Sequence, residues 1–293
     1  MTGVEAVRAR PIGVFDSGVG GLSVLAHLKR LLPHEDVVYF ADTANCPYGE
    51  RSPAEIGQLT LRAVRWLEAQ GCKLVVIACN TACAFSLNSV RSAAMVPVVG
   101  LVPALKPAVE QTKSGVVAVF ATAVTLEGSL LKDVTDEYAD PAGVNVLKVW
   151  HRELVPLVED GQAHAPYTRE LLRNLLTPIL HSGADALVLG CTHYPFLIPA
   201  LHSEFGDAFR LHDSGAGVAK RTRTLLEKAG QLNTQAGSAP TRLYTTGDAA
   251  HTRRVAAHLY SEVLPEHTGA ARLEVQAISP PEDWQRAEVQ VPG

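Results

Sequence analysis

The sequence has no apolar run long enough to cross a membrane. Its longest such stretch, Ala93 to Leu105, is broken by Pro97 and Pro103 and falls short of the roughly 20 residues a spanning helix needs. No Cys-x-x-Cys pair occurs, and the five cysteines are scattered and odd in number. Neither a disulfide framework nor a knuckle-type zinc site is therefore indicated. A basic block that tracks a phosphate backbone is also missing: 26 Lys and Arg stand against 30 Asp and Glu, a formal net charge of −4. Nucleic acid is not an expected partner, and neither is a membrane. The first ten residues lack the apolar segment of a signal peptide, which with the unpaired cysteines points to a reducing cytoplasm. What remains is a chain of 293 residues, 47% apolar and 19% charged, a balance that builds a large core in one large or two modest domains.

Short β-branched runs alternate with helical periods, the pattern of a mostly parallel sheet covered by helices. Strands are expected at Ile12–Phe15, Val37–Phe40, Leu74–Ala78 and Val96–Gly100, with helices over 22–31 and from Ser52-Pro53 onward. The series then restarts with strands at Val116–Phe120, Val144–Val149, Ala186–Leu189 and Phe209–Leu211. Helices near 126–137, 166–181 and 195–203 lie between them. A long helix follows Asp213-Ser214-Gly215, then a polar loop over Gly230–Pro240, a strand at Leu243–Thr246 and a helix at 249–260. Little is assigned beyond Pro265.

The two halves echo each other. Ile-Gly-Val-Phe-Asp16-Ser17 is repeated as Val-Ala-Val-Phe-Ala121-Thr122, and Leu-Val-Val-Ile-Ala-Cys79-Asn80-Thr81 as Ala-Leu-Val-Leu-Gly-Cys191-Thr192-His193. Each echo places a polar residue just past the carboxyl end of an apolar strand, where open α/β sheets bind ligands. The fold class read from this order is α/β, two related domains with mostly parallel sheets in a pseudo-twofold arrangement. Residues 1–103 with 214–293 form the first domain and 104–213 the second. A cleft between the halves then has one cysteine on either side.

A facing pair of thiols suits inversion at an α-carbon, which needs a proton removed from one face and another delivered to the opposite face. Cys79 precedes a helix opened by Asn80-Thr81, whose free N–H groups favour a thiolate. Cys191 is followed at two residues by His193, a group able to hold the thiol's proton. The bland alternative is that each cysteine is a small buried hydrophobe. A metal site through Cys79, Cys83, Cys191 and His193 is a weaker one, because zinc sites space their cysteines more tightly. Cys72 and Cys83 read as core. Asp16-Ser17-Gly18 and the glycines after it lack a phosphate-loop lysine. They fit a turn whose backbone approaches a carboxylate, with Asp16 facing a substrate ammonium or a thiol, or capping the next helix. In Cys46-Pro47-Tyr48-Gly49, Tyr48 offers a hydroxyl and Gly49 an N–H to a carboxylate.

Taken together these segments resemble the glutamate racemases of the aspartate/glutamate racemase superfamily. The stretches that carry the resemblance are Gly13-Val-Phe-Asp-Ser-Gly-Val-Gly-Gly-Leu-Ser, Asp42-Thr-Ala with Pro47-Tyr-Gly, and Val76-Ile-Ala-Cys-Asn-Thr-Ala. Pro97-Val-Val-Gly, Leu154-Val-Pro-Leu-Val-Glu159, Leu189-Gly-Cys-Thr-His-Tyr-Pro and Asp213-Ser complete it. The resemblance implies interconversion of L- and D-glutamate by two cysteines, supplying D-glutamate for peptidoglycan, with no cofactor and no metal. It implies Cys79 and Cys191 as the proton carriers, assisted by Asp16, His193 and Glu159. Asp16, Ser17, Tyr48, Gly49, Asn80, Thr81, Thr122, Thr192 and His193 would hold the amino acid, and a homodimer is the implied assembly. An aspartate racemase is the nearest rival, and an amino-acid-sensing regulatory protein the rival of another class. The chain departs from the family in having Trp150-His151 where a Cys-Pro pair is usual, in Thr122-Ala-Val-Thr125, and in Cys46. Cys46 near the cleft is expected to make the protein sensitive to oxidation.

Overall fold

A computed structural model describes residues 3–235, 237, 239–264 and 273–278. The strands are β1 (Ile12–Asp16), β2 (Val37–Ala41), β3 (Leu74–Ile77), β4 (Val98–Gly100), β5 (Val116–Phe120), β6 (Asn145–Val149), β7 (Ala186–Leu189), β8 (Arg210–His212), β9 (Thr241–Thr245) and β10 (Leu273–Ala277). The helices are α1 (Gly3–Arg8), α2 (Leu22–Leu31), α3 (Pro53–Ala69), α4 (Asn80–Ala93), α5 (Leu105–Gln111), α6 (Ala123–Glu127), α7 (Ser129–Val134), α8 (Leu154–Glu159), α9 (Pro166–His181), α10 (Ile198–Phe205), α11 (Gly215–Lys228) and α12 (Ala249–Val263). No helix of the described residues is long and apolar enough to cross a membrane.

The strands form two sheets, ordered β10-β9-β2-β1-β3-β4 and β6-β5-β7-β8, and every pairing in them is parallel. The α/β class with parallel sheets therefore holds. The echo between the halves holds at the level of register. Phe15 pairs with Ile77 in one sheet and Phe120 with Leu189 in the other, and each cysteine stands two residues beyond the paired strand end. The order β2-β1-β3-β4 repeats as β6-β5-β7-β8, with β9 and β10 extending the first sheet. Every residue of β1, β2 and β3 is buried, as in a sheet covered on both faces. Edge strands β6 and β10 keep only Val149 and Val275 buried.

Local chemistry explains the boundaries. Ser52 and Glu55 form a reciprocal capping box with Pro53 in the first turn of α3. β4 starts after Pro97, which has no N–H to give the ladder. The helix expected over 126–137 is instead α6, α7 and a π-helical turn at Thr135–Ala139. The break falls at extended Gly128, where a Cβ would come within 2.8 Å of the Ala84 Cβ on α4. The short helices α1, α5 and α8 were not expected, and neither was β10. The rest of the tail beyond Pro265 lies outside the described residues.

The chain crosses between the sheets twice, after β4 and after β8. The two crossings are tied where the Ser214 hydroxyl donates to the Val102 carbonyl at 2.6 Å.

Candidate active site

Three segments at the carboxyl ends of β1, β3 and β7 converge between the sheets. Asp16 ends β1 fully buried and accepts from the Gly21 amide, 2.7 Å from its Oδ2, at the start of α2. It is not that helix's N-cap, which is Gly21. The Thr192 hydroxyl approaches the same oxygen at 3.5 Å, whereas Oδ1 is buried without a hydrogen-bond partner. Burial pushes the Asp16 carboxyl up to about 6, with the His193 charge and the Gly21 amide pulling it back. An acid so placed titrates near neutrality and leaves one oxygen free for a ligand.

Cys79 is the N-cap of α4. Its sulfur accepts from the Ala82 amide at 3.4 Å and donates to the Ser17 hydroxyl at 3.6 Å. The helix start was expected to favour the thiolate; the structure reverses that expectation. Burial first, and the Asp16 charge second, push the Cys79 thiol well above its ordinary range, and the Ala82 amide recovers only part of this. Desolvation of a fully buried group outweighs one or two amide dipoles.

Cys191 faces a different set of neighbours. Its sulfur lies 3.6 Å from His193 Nδ1, and His193 Nε2 lies 2.6 Å from Glu159 Oε1. The His193 ring is almost wholly buried, which opposes its charge. The contacts to Cys191 and Glu159 outweigh that and hold it well above the usual histidine range. Glu159 ends α8 and also accepts from the Val19 amide at 2.7 Å, tying the glycine turn after β1 to the other half. Sulfur, imidazole and carboxylate thus form a relay of the kind that activates nucleophilic cysteines.

The glycines after Asp16 have a specific tenant. A Cβ on Gly18 would collide with the Glu159 carboxylate, and one on Gly20 would lie 2.5 Å from His193 Nδ1. Their bareness admits the relay's side chains, where a substrate carboxylate was expected.

Ser17, Tyr48, Gly49, Cys79, Asn80, Thr81, Thr122, Cys191, Thr192 and His193 all line one cavity with Pro47 and Val155, about 260 Å³ of atom-free space between the sheets. The Tyr48 hydroxyl donates to Asp42 Oδ2 at 2.6 Å. Thr81, Thr122 and Thr125 form a triangle of hydroxyls with sides of 2.8 to 3.1 Å, joining α4 to α6. Thr125 was missed, although a threonine three places after the cap Thr122 was visible in the sequence. Ser23 was also missed; its hydroxyl donates to the Gly20 and Thr192 carbonyls, each at 2.9 Å. The alternative metal set does not gather: the Cys83 thiol turns into the core, toward the Ile77 carbonyl and the Leu101 amide. Trp150 is half-exposed, and it lines the rim of the cleft with His151 and Arg152.

Known proteins match this sequence and this fold. A glutamate racemase of Deinococcus radiodurans is 56% identical over 84% of this chain and 84% of its own length. The crystal structure of glutamate racemase isoform RacE1 from Bacillus anthracis superposes with a TM-score of 0.80 at 29% identity, covering 94% of this chain and 99% of that one. The glutamate racemase of Francisella tularensis subsp. tularensis SCHU S4, solved in complex with D-glutamate, gives a TM-score of 0.76 at 28% identity over 92% and 98%. Residues 12–220 match the family described as Asp/Glu/Hydantoin racemase, and the chain belongs to that family.

Proposed function

We propose that this chain is a glutamate racemase that inverts its substrate with Cys79 and Cys191 as paired acid and base, and that its product D-glutamate enters peptidoglycan. The observation that carries the reading is the matched position of the two thiols, each two residues past an equivalent strand pair, on one cavity. Their unequal surroundings support opposite roles. Cys79, buried beside Asp16, is the protonated thiol. Cys191, beside the His193 imidazolium, is the acceptor.

In the proposed reaction the Cα–H bond breaks as Cys191 sulfur takes the proton, and the electron pair stays on the carbanion. The Cys79 S–H bond then breaks as its proton adds to the opposite face of Cα. The reverse sequence serves the other enantiomer. Asp16 Oδ1, unpartnered although Asp16 is fully buried and outside that cavity's lining, is the proposed partner of the substrate ammonium, and the amides and hydroxyls of Ser17, Gly49, Asn80, Thr81, Thr122 and Thr192 hold its carboxylates. His193 exchanges the proton of Cys191, and Glu159 orients the ring. The two-domain division at 103 and 213 and the homodimer belong to the same reading.

The test is polarimetric. L-glutamate in deuterated buffer loses all optical rotation and gains deuterium at Cα, with or without a chelator. Cys79→Ser and Cys191→Ser each lose about 10²- to 10⁴-fold of that rate, the range of general acid–base catalysis. Decay with L-aspartate in place of L-glutamate would move the substrate to the rival enzyme, and no decay with either would favour the sensing protein.

A further inference from the structure

Beside the thiol cavity, and sharing Pro47 and Val155 with it, lies a second one of about 700 Å³ of atom-free space, lined by Thr43, Cys46, Glu159, Asp160, Asp248 and His251 among others, with no Lys or Arg in its wall. On the partition between the two, Cys46 Sγ, a Glu159 carboxylate oxygen and a His193 ring nitrogen lie within 4.8 Å of one another. They come from the turn after β2, the end of α8 and the turn after β7. They are the one group of three such ligands among the described residues. Cys46 is partly exposed and in no disulfide, and His193 is almost wholly buried. Cys46 has no part in the proton transfers derived above.

We propose that Cys46, Glu159 and His193 form an inhibitory binding site for zinc(II). Sulfur, imidazole nitrogen and carboxylate oxygen are the ligand types zinc prefers, and three of them leave a fourth position for water or a ligand. Zinc–ligand bonds of about 2.0 to 2.3 Å set tetrahedral donor atoms roughly 3.3 to 3.7 Å apart. The group therefore closes with about 1 Å of movement, as Cys46 swings inward and the Glu159–His193 contact opens. The surroundings favour a cation: Glu159, Asp160 and Asp248 line the cavity and no Lys or Arg does. On binding, Cys46 gives its proton to solvent and a zinc–sulfur bond forms. Zinc at Nε2 takes the place of Glu159 and fixes the ring, so His193 no longer exchanges a proton with Cys191.

Binding is independent of the racemase reading, and inhibition rests on it, so both are measured. Dialysed protein is titrated with zinc chloride at buffered free zinc while racemisation is followed, and separately with cobalt(II) while the near-ultraviolet thiolate-to-cobalt band is recorded. Zinc is expected to inhibit reversibly, with a chelator restoring activity and magnesium, a poor partner for sulfur, without effect. Cys46→Ser keeps its basal rate, needs at least about tenfold more zinc for the same inhibition, and lacks the cobalt band; the size follows from losing one ligand of three. Equal zinc sensitivity in Cys46→Ser overturns the proposal, because the metal is then on Cys79 and Cys191. Absence of the cobalt band in the unsubstituted protein overturns it as well, whether or not the chain racemises glutamate.

Discussion

Replacing Gly20 by alanine tests whether the position of His193 governs the chemistry. The added Cβ would sit 2.5 Å from His193 Nδ1, about 0.9 Å inside ordinary van der Waals contact. The ring cannot simply retreat, because it is buried and its Nε2 is held at 2.6 Å by Glu159. Overpacking of this kind costs about 1 to 3 kcal/mol of stability, a melting point lower by several degrees in a chain of this size. The larger effect falls on catalysis. A misplacement near 1 Å costs about 10²-fold, or roughly 2.7 kcal/mol of transition-state stabilisation. The assay follows rotation from L- and D-glutamate separately. Enantiomers have equal free energy, so kcat/KM falls by the same factor in both directions. Gly57→Ala is the control, since nothing lies within 4 Å of a Cβ on that α3 glycine. It keeps full activity and gains up to about 1 kcal/mol of helix propensity. A folded Gly20→Ala enzyme within threefold of the unsubstituted kcat/KM would refute the relay geometry.

Two other outcomes follow from buried charge. A carboxyl raised to about 6 from an ordinary 3.8 binds its proton more tightly folded than unfolded. The stability owed to Asp16 therefore declines as pH rises from about 4 to about 6 and is flat above, a cost of about 2 to 3 kcal/mol at pH 7.5. Asp16→Asn is expected to melt higher than the unsubstituted protein at pH 7.5, with the gap closing by pH 4, while kcat/KM falls roughly 10²-fold; a pH-independent gap contradicts this. At the amino ends of the strands of the same sheet, Lys73 Nζ lies 2.6 Å from Glu35 Oε2 with both side chains about 1% exposed. Lys73→Met strands that carboxylate, so urea unfolding should show a loss of about 3 to 5 kcal/mol with kcat unchanged in the folded fraction, and a loss below 1 kcal/mol contradicts the reading.

The strands were legible because parallel strands buried on both faces read as continuous apolar runs, and β1, β3, β5 and β7 stand within a residue of expectation. The repeated strand-end cysteines were legible for the same reason, as the residues after those runs. Shorter elements were not. Six residues of α8 hold too few turns to show a period, although Glu159, which closes the relay, sits on its last position. β10 alternates weakly over five residues and gains its place by pairing with β9 and through the Arg253 side chain of α12, which donates to the Val275 carbonyl. Burial was the other blind spot. The sign of the Cys79 shift depends on how completely the folded chain buries it beside Asp16, a tertiary quantity that helix-start chemistry does not contain. The Tyr48–Asp42 hydrogen bond was illegible likewise, because Asp42 is a partner only after the turn folds back on β2.

The paired crossings after β4 and β8 have a mechanical consequence. A body held at one point can swivel in any direction, whereas one held at two can only turn about the line joining them. With Ser214 bonded to Val102, the two crossings are joined to each other, so any parting of the two sheets would have to turn about that junction. For the proposed reaction, such a junction would return the wall of each thiol to the same place after every opening.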